Sequence, residues 1–303
     1  MEMDLHIEIT DQTIDVPYRE LIGSLMFIAT VTRPDISFAV SYLAQFFDKP
    51  NEECWKQAKK VVRYLKETKE IRLVYKRNEK QGSSIIVYSD SDWAGDKGDR
   101  KSVSGCVVLY NINIISWYSR KQNCVALSTA EAEYVAASLA AFEALNLKGV
   151  AQNLGENIQP KLLVDNRGAI YISKSYENSK RTKHIDIGYN HIKHLIKKGE
   201  INAQYIDTNN NLADIMTKAH SKEKIINFIN CMNKYAPSRL GLGPQYRARF
   251  HTRRTRYAVL PRRHRTRARS RRKTIPVHVI DSPTNIAEEN VIGKCWVSVT
   301  FPV

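Results

Sequence analysis

A carboxylate at the end of an apolar run is the feature that most limits how this chain can fold. Residues 83–99 read SSIIVYSDSDWAGDKGD, so the apolar run at 85–88 is followed closely by Asp90. A short apolar run that stops at turn-forming residues is typical of a buried strand. An acid at the end of such a strand costs free energy unless it is paired or bound to a cation. We therefore predict that Asp90 ends a buried strand and is the first ligand of a metal site.

Further acids follow Asp90, which raises the alternative of a calcium-binding loop. Asp90, Asp92 and Gly95 fit the first, third and sixth positions of such a loop. Ala94 and Lys101 occupy the fifth and twelfth positions, where ligands are required. A calcium loop is therefore excluded.

The pattern of residues 83–236 predicts an α/β fold. Apolar runs indicate strands at residues 85–89, 103–110, 113–118, 161–164 and 201–206. Helices are predicted over 129–154, in a short segment ending near 173, over 185–198, and from 212 to near 230. Three successive strands followed by helix–strand alternation predict a mixed sheet with flanking helices.

Before this region, residues 1–16 are predicted to be a polar lead-in and residues 17–80 a small helical segment. Pro34 and Asp35 are typical of a helix start, and Asn51 is a candidate cap for the next helix. That helix is predicted to bury one face made of Trp55, Ala58, Val62 and Leu65. Residues 71–75 are predicted to form a short strand.

Charge is uneven along the 303 residues, whose formal net charge is +16. Residues 239–273 hold 14 Lys or Arg without an apolar period, so 237–303 is predicted to be a disordered basic tail. The five cysteines are scattered, which fits a reducing compartment. No signal peptide or membrane span is recognised, so we expect an intracellular protein, cytoplasmic or nuclear, without a membrane partner.

Four acids lie where predicted elements begin or end: Asp90, Glu133, Asp165 and Asp214. Each alone has an ordinary explanation, such as an Asx turn, a helix cap or a helix dipole contact. Only their combination indicates a site.

Two glutamates compete for the helix position in this set. Two residues apart on a helix, Glu131 and Glu133 point about 200° apart and cannot both reach one site easily. Ser128 followed three residues later by Glu131 forms a capping box, in which Glu131 is predicted to fold back to the Ser128 backbone N–H. Glu133 shares its stripe with Ala137 and Ala140, small residues that let the helix approach the sheet. We therefore predict that Glu131 caps the helix and Glu133 reaches the site.

Several segments carry a resemblance to a known family: YSDSDWAGDKGDRKSVSG, ISWYSRKQNCVALSTAEAEYVA, LLVDNRGAI, RTKHIDIGYNHI and NLADIMTK. In order and spacing through residues 83–236 they resemble the ribonuclease H domain of copia-type retrotransposon Pol polyproteins. Residues 17–80 resemble the C-terminal end of the reverse transcriptase in those polyproteins, without the polymerase core. Residues 237–303 resemble nothing in the family.

The resemblance implies a ribonuclease H-like fold that cleaves the RNA strand of an RNA–DNA hybrid. Asp90, Glu133, Asp165 and Asp214 match the family's metal-ligating catalytic acids, which would hold two Mg²⁺ or Mn²⁺ ions. Two divalent ions about 3.5–4 Å apart can stabilise both the attacking and the leaving oxygen. Oxygen ligands favour these ions over zinc.

Two positions depart from the family pattern. Asn146 stands where many members carry Trp, and we expect looser packing there. Thr208 lies near the place where cellular enzymes of this fold have a mobile His, so no general acid is assigned.

The tract 184–194 contains an alternative metal cluster. His191 and His194 lie one helical turn apart, close to His184 and Asp186. No second pair of soft ligands is nearby, so a structural or substrate-edge role is favoured over zinc.

A basic segment in the same tract is expected to bind nucleic acid. Arg181, Lys183 and His184 are predicted to contact phosphates and position the duplex without reading its sequence.

The sequence thus indicates a truncated retrotransposon polyprotein whose one complete domain is a ribonuclease H. Its partners would be an RNA–DNA hybrid and a reverse transcriptase core supplied by another chain; the oligomeric state stays open. The alternative is a non-catalytic, nucleic-acid-binding remnant of the same fold. A small-molecule enzyme is disfavoured because no glycine-rich phosphate loop follows any predicted strand.

The basic tail generates a prediction of its own. Its cations should bind nucleic acid without sequence preference, and the affinity should fall steeply with salt because counterions are released. Deleting 237–303 should flatten the slope of log affinity against log salt in a filter-binding titration. An unchanged slope would show that the tail is not the main electrostatic contact.

Overall fold

The computed structural model describes residues 7, 13–75, 82–175 and 187–233. The helices within these ranges are α1 (Tyr18–Val31), α2 (Ser37–Ala44), α3 (Glu52–Glu67), α4 (Thr129–Asn153), α5 (Arg167–Lys174), α6 (Ile187–Lys197) and α7 (Lys222–Asn233). The strands are β1 (Ile85–Ser91), β2 (Val103–Tyr110), β3 (Asn113–Lys121), β4 (Lys161–Val164) and β5 (Asn202–Tyr205). None of the described helices has an apolar segment long enough to cross a bilayer.

The five strands form one mixed sheet in the order β3-β2-β1-β4-β5. β1, β2 and β3 pair antiparallel, whereas β1, β4 and β5 run parallel. The carboxyl ends of the three parallel strands therefore meet at one edge of the sheet. The predicted α/β fold, a mixed sheet with flanking helices, is confirmed.

Alternation along the strands divides the core into two layers. Cys106 and Val108 on β2 face a cluster that includes Tyr134 and Ala140 of α4. Val107, between them, faces the opposite cluster, which contains residues of α7 and of a short 3₁₀ helix, Leu212–Met216. Successive side chains of a strand point to opposite faces, so one strand supplies both layers.

The predicted last helix is broken into two pieces. Leu212–Met216 is a 3₁₀ helix, and the α-helix begins only at Lys222. Asn211 caps the first piece, since its side chain accepts the Ala213 N–H. The predicted continuous helix from 212 is therefore wrong.

Helices α1–α3 form a body with its own apolar cluster, which includes Ile22, Leu43 and Ala58. Asn51 caps α3 as predicted, because its side-chain oxygen accepts the Cys54 N–H at 3.0 Å. The predicted face of α3 is only partly right. Val62 is 41% exposed, and the neighbouring Val61 is buried instead. Two stripes one residue apart have the same 3.6-residue period, so periodicity does not choose between them.

Asp35 lies at a helix start, as predicted, and makes further contacts as well. A 3₁₀ helix, Pro34–Ile36, leads into α2, and the Asp35 carboxylate pairs with the Arg33 guanidinium at 2.7 Å. The Tyr64 hydroxyl also donates to this carboxylate, at 2.7 Å. The acid therefore ties the start of α2 to α3 in addition to lying at a helix start.

Residues 71–75 form no strand, so that prediction is wrong. Ile71 and Leu73 nevertheless pack against the cluster that contains Trp117. The apolar residues alternate here because Ile71 and Leu73 both face this cluster, although the segment pairs with no strand among the described residues.

Hydrogen bonds join the helical body to β3, the first strand in the sheet order. The Trp117 indole N–H donates to the Ala29 carbonyl at 2.7 Å. The Ser41 hydroxyl donates to the Ser119 carbonyl at 2.9 Å, and the Lys121 ammonium donates to Gln45 at 3.2 Å. The helical body and the sheet are thus packed as one unit.

Trp117→Phe tests this junction. Removing the indole N–H leaves the Ala29 carbonyl with only the longer contact from the Ser37 hydroxyl, at 3.3 Å. The free energy of unfolding should therefore fall by about 1 kcal/mol in urea denaturation. Phe27→Leu changes a side chain that is 69% exposed, and it should alter the free energy of unfolding by less than about 0.5 kcal/mol. Equal effects of the two variants would contradict the junction.

Candidate metal centre

Asp90 lies near the carboxyl end of β1, where the sequence predicts it, and is 2% exposed. Gly105 of β2 is its partner in the antiparallel ladder. On the other side of β1, Ser89 pairs with Val164 at the end of β4. Asp90 and Asp165 each come one residue after this pair, so they lie side by side at the carboxyl ends of two adjacent parallel strands.

Glu133 reaches this pair from the first turns of α4. Its residue is 6% exposed, and one carboxylate oxygen, Oε1, accepts the Ser91 N–H at 3.1 Å. The other oxygen, Oε2, is buried without a hydrogen-bond partner. Carboxylate oxygens of Asp90, Glu133 and Asp165 lie within 4.8 Å of one another. Three of the four predicted ligands thus come together.

Burial and mutual repulsion disfavour the charged forms of these acids. Desolvation by burial raises the pKa of Asp90, and the Asp165 charge adds to this, while a hydrogen bond from Thr217 opposes it. Burial also raises the pKa of Glu133 well above its ordinary value, with further contributions from Asp90 and Asp165. A divalent cation would relieve both penalties, and an all-carboxylate donor set suits Mg²⁺ or Mn²⁺.

Asp214, the fourth predicted ligand, has other partners. Its carboxylate is fully buried and pairs with Lys218 at 2.5 Å and with Lys224. The His220 ring nitrogen lies 2.8 Å from the Asp214 carbonyl. Burial lowers the pKa of His220 to about 4. The three-carboxylate group does not include Asp214, so its role as a ligand stays a prediction.

The acids of the turn after β1 serve the turn itself. Asp92 accepts the Val103 N–H, and burial raises the pKa of Asp92 to about 6. A Cβ at Gly95 would clash with the Asp92 carboxylate, so a larger residue there would have to displace that side chain. Asp96 pairs with Lys121 at 2.5 Å. These contacts agree with the exclusion of a calcium loop.

The cap of α4 involves Ser128 and Glu131 as predicted, but Glu131 accepts the Leu127 N–H where the prediction had the Ser128 N–H. The Ser128 hydroxyl accepts the Glu131 N–H at 3.3 Å, and the Glu131 carboxylate accepts the Leu127 N–H at 2.8 Å. Ala137 and Ala140, on the Glu133 stripe, are buried. Glu131 therefore fixes the start of the helix while Glu133 faces the other two acids.

Sequence reasoning missed a buried glutamine that braces the site. The Gln122 amide nitrogen lies 3.1 Å from the Ser91 hydroxyl, 2.9 Å from the Ser104 hydroxyl and 2.9 Å from the Ala132 carbonyl. It thereby links β1, β2 and α4 next to the carboxylates. A single glutamine between two predicted elements has no signal of its own in the sequence.

The histidine tract shows no metal geometry in the part that the structure describes. His191 stacks on Phe142 with ring centroids 5.6 Å apart, and the His191 and His194 rings are 6.3 Å apart. Among the described residues the metal-competent group is the set of three carboxylates. His184 and Asp186, together with the predicted phosphate contacts Arg181 and Lys183, lie outside the described residues.

Curated proteins similar to the chain include Pol polyproteins of plant retrotransposons. The retrovirus-related Pol polyprotein from transposon TNT 1-94 of Nicotiana tabacum is 39% identical over 212 residues, which are 69% of this chain and 16% of that protein. The corresponding protein from transposon RE1 of Arabidopsis thaliana is 36% identical over 223 residues, 73% of this chain and 15% of that protein. The chain belongs to the copia-type retrotransposon Pol polyproteins.

This Pol segment is much shorter than its relatives and spans 14–16% of the length of three of them. It is also similar to secreted RxLR effector protein 161 of Plasmopara viticola, with 43% identity over 132 residues, 43% of this chain and 91% of that protein. No family model matches the chain.

Solved structures similar to the Pol segment include ribonuclease H proteins. The N-terminal ribonuclease H domain of a Mycobacterium tuberculosis protein matches with 15% identity and a TM-score of 0.33 over 52% of this chain and 100% of that chain. A protease–reverse transcriptase of prototype foamy virus matches with 14% identity and a TM-score of 0.32 over 57% of this chain and 28% of that chain. The order and the directions of its five strands define the fold of the Pol segment.

At position 146 the Pol segment has Asn where many family members have Trp, and this residue is not part of the core. Asn146 is exposed on α4, so the expectation of looser packing at this position is wrong. Thr208 begins a 3₁₀ helix, Thr208–Asn210, and is exposed as well.

The raised pKa of Glu133 predicts how stability depends on pH in the metal-free Pol segment. Below about pH 4 this acid is protonated in both the folded and the unfolded state and has no effect. As the pH rises from about 4 toward the elevated folded pKa, wild type should lose stability relative to Glu133→Gln, because in this window only the unfolded chain ionises freely. Urea denaturation of both proteins in EDTA from pH 4 to 8 measures this difference. A pH-independent difference would contradict the buried, repelled carboxylate.

Proposed function

We propose that this chain is a metal-dependent ribonuclease H that cleaves the RNA strand of RNA–DNA hybrids as part of a retrotransposon polyprotein. The single observation that carries the proposal is the meeting of Asp90, Glu133 and Asp165 within 4.8 Å. The buried Glu133 oxygen without a hydrogen-bond partner supports a cation as the missing contact. Membership of the Pol family agrees with this activity. The site of action would be intracellular, cytoplasmic or nuclear.

Phosphodiester hydrolysis needs an activated water and a stabilised leaving oxygen, which two Mg²⁺ or Mn²⁺ ions would supply when bound. Asp90, Glu133 and Asp165 would hold the ions, with Asp214 as a fourth ligand. The Ser91 N–H fixes the Glu133 carboxylate. Asp165 is more exposed than the other two acids and would lie on the side from which the substrate phosphate approaches.

Asp214 would have to exchange its partners to become a ligand. Its contact with Lys218 is partly open to solvent, since the Lys218 side chain is 49% exposed. The Asp214 carboxylate itself is fully buried, so a departing lysine would leave an uncompensated charge unless a bound cation took its place. The released ammonium would then be available to the hybrid's phosphates.

Recognition of the hybrid would combine several parts of the chain. Arg181, Lys183 and His184 would contact phosphates and position the duplex. The 2′-hydroxyl is the chemical group that separates RNA from DNA, so it would direct cleavage to the RNA strand. A reverse transcriptase core on another chain would be the protein partner.

The second candidate is a non-catalytic, nucleic-acid-binding remnant of the same fold. The ion pairs that Asp214 makes with Lys218 and Lys224 favour it, because they neutralise the fourth acid without a metal. The two candidates differ in whether the chain hydrolyses RNA.

Cleavage of a labelled RNA–DNA hybrid by the full chain tests the proposal. Wild type should cut the RNA strand with Mg²⁺ and not with EDTA. Asp90→Asn and Asp165→Asn should each lower the rate by at least about 10²-fold, because each removes a charge that holds the ions. Binding of the hybrid without any metal-dependent cleavage would select the remnant instead.

The two glutamates of α4 provide a matched pair of variants. Glu133→Gln should abolish cleavage, because it removes a ligand charge, without lowering the melting temperature of the metal-free protein. Glu131→Gln should keep most of the cleavage rate, because glutamine can still accept the Leu127 N–H. An inactive Glu131→Gln beside an active Glu133→Gln would overturn the assignment of the two residues.

A further inference from the structure

A buried hydroxyl holds one of the carboxylates from a segment that is distant in sequence. Thr217 is fully buried, and its hydroxyl donates to Asp90 Oδ2 at 2.5 Å. The same hydroxyl lies 3.0 Å from the Asp214 carbonyl. It has one hydrogen, and the shorter contact to a charged acceptor is the stronger one when Asp90 is ionised.

Asn211 fixes the other end of this segment on β1. Its amide nitrogen donates to the Ser89 carbonyl at 2.9 Å and lies 3.4 Å from Asp90 Oδ1. Its amide oxygen accepts the Ala213 N–H at 3.1 Å. One side chain therefore anchors the 3₁₀ helix Leu212–Met216 to the strand that carries Asp90.

Gly105 makes the close approach of this segment possible. Gly105 lies opposite Asp90 in the β1–β2 ladder. A Cβ there would lie 2.7 Å from the Ala213 carbonyl oxygen, 2.7 Å from Met216 Cβ and 2.8 Å from Thr217 Cγ2. A Cβ essentially never lies this close to an atom to which it is not bonded, so a side chain at residue 105 would push the segment that carries Thr217 away from β2.

We propose that Thr217, assisted by Asn211, is a positioning residue that orients the Asp90 carboxylate for a divalent cation. The hydroxyl occupies Oδ2 and stops the carboxylate from rotating about its Cβ–Cγ bond. Oδ1, whose contact with Asn211 is long, is left for the cation. This inference rests on the proposed metal-dependent function. Residues that hydrogen-bond to metal ligands generally change metal affinity by about 10–100-fold when they are replaced.

The test compares Thr217→Val, which keeps the shape and loses the hydroxyl, with Thr217→Ser, which keeps the hydroxyl. The readout is the dissociation constant for Mn²⁺, measured by titration calorimetry on the full chain without substrate, together with the melting temperature. Thr217→Val should weaken Mn²⁺ binding by about tenfold, whereas Thr217→Ser should stay within about threefold of wild type. If Thr217→Val does not fold, as judged by circular dichroism, Thr217→Ala takes its place with the same expected result.

Unchanged Mn²⁺ affinity in the folded Val or Ala variant would overturn the inference, even if the melting temperature falls. Equal weakening by Thr217→Ser would also overturn it, because the effect would then come from packing. Asp90→Asn distinguishes a failure of the proposed function. If wild type and Asp90→Asn bind Mn²⁺ equally poorly, the metal centre itself is absent, and both proposals fall.

Discussion

The repulsion among buried carboxylates is the constraint on which the rest of this structure depends. Asp90 and Glu133 are both nearly inaccessible to solvent, and Asp165 lies beside them. Carboxylates packed this closely would separate or stay protonated unless rigid elements held them together. Two adjacent parallel strands supply Asp90 and Asp165, and α4 supplies Glu133. The alanines along the buried face of α4 allow the helix backbone to approach the sheet closely enough for Glu133 to reach them.

Much of this arrangement can be predicted from local pattern. An acid directly after an apolar run is visible at Asp90 and Asp165, and two-residue spacing on a helix separates Glu133 from Glu131. The hydrogen bonds that brace the carboxylates could not be predicted, because they join residues that are far apart in the sequence. The bonds of Gln122 and Thr217 connect segments far apart in the chain, and neither residue type is distinctive there. Local pattern also gave two wrong predictions. Residues 71–75 alternate like a strand but pair with none of the described strands, and the last helix is interrupted after Met216 although no proline marks the interruption.

The Asp214 carboxylate has two alternative kinds of cationic partner, lysine and a metal ion. In the structure two lysines neutralise it, while the family resemblance gives it a metal. If the proposed function is right, lysine and divalent cation compete for one carboxylate. The outcome then depends on the free cation concentration and on whether a polyanion draws the lysines away. Substrate and metal would in that case favour each other's binding through a shared acid.

The junction between the helical body and β3 has a consequence for where a stable fragment of this chain can begin. β3 is an outer strand of the sheet, and the Ser41 hydroxyl and the Trp117 indole hold α1 and α2 against it. An outer strand without a cover offers free backbone groups to any other strand, and such edges promote aggregation. A recombinant fragment that starts at β1 would carry every carboxylate of the site and still expose this edge. A fragment for expression should therefore start ahead of α1, so that α1 and α2 cover the outer edge of β3.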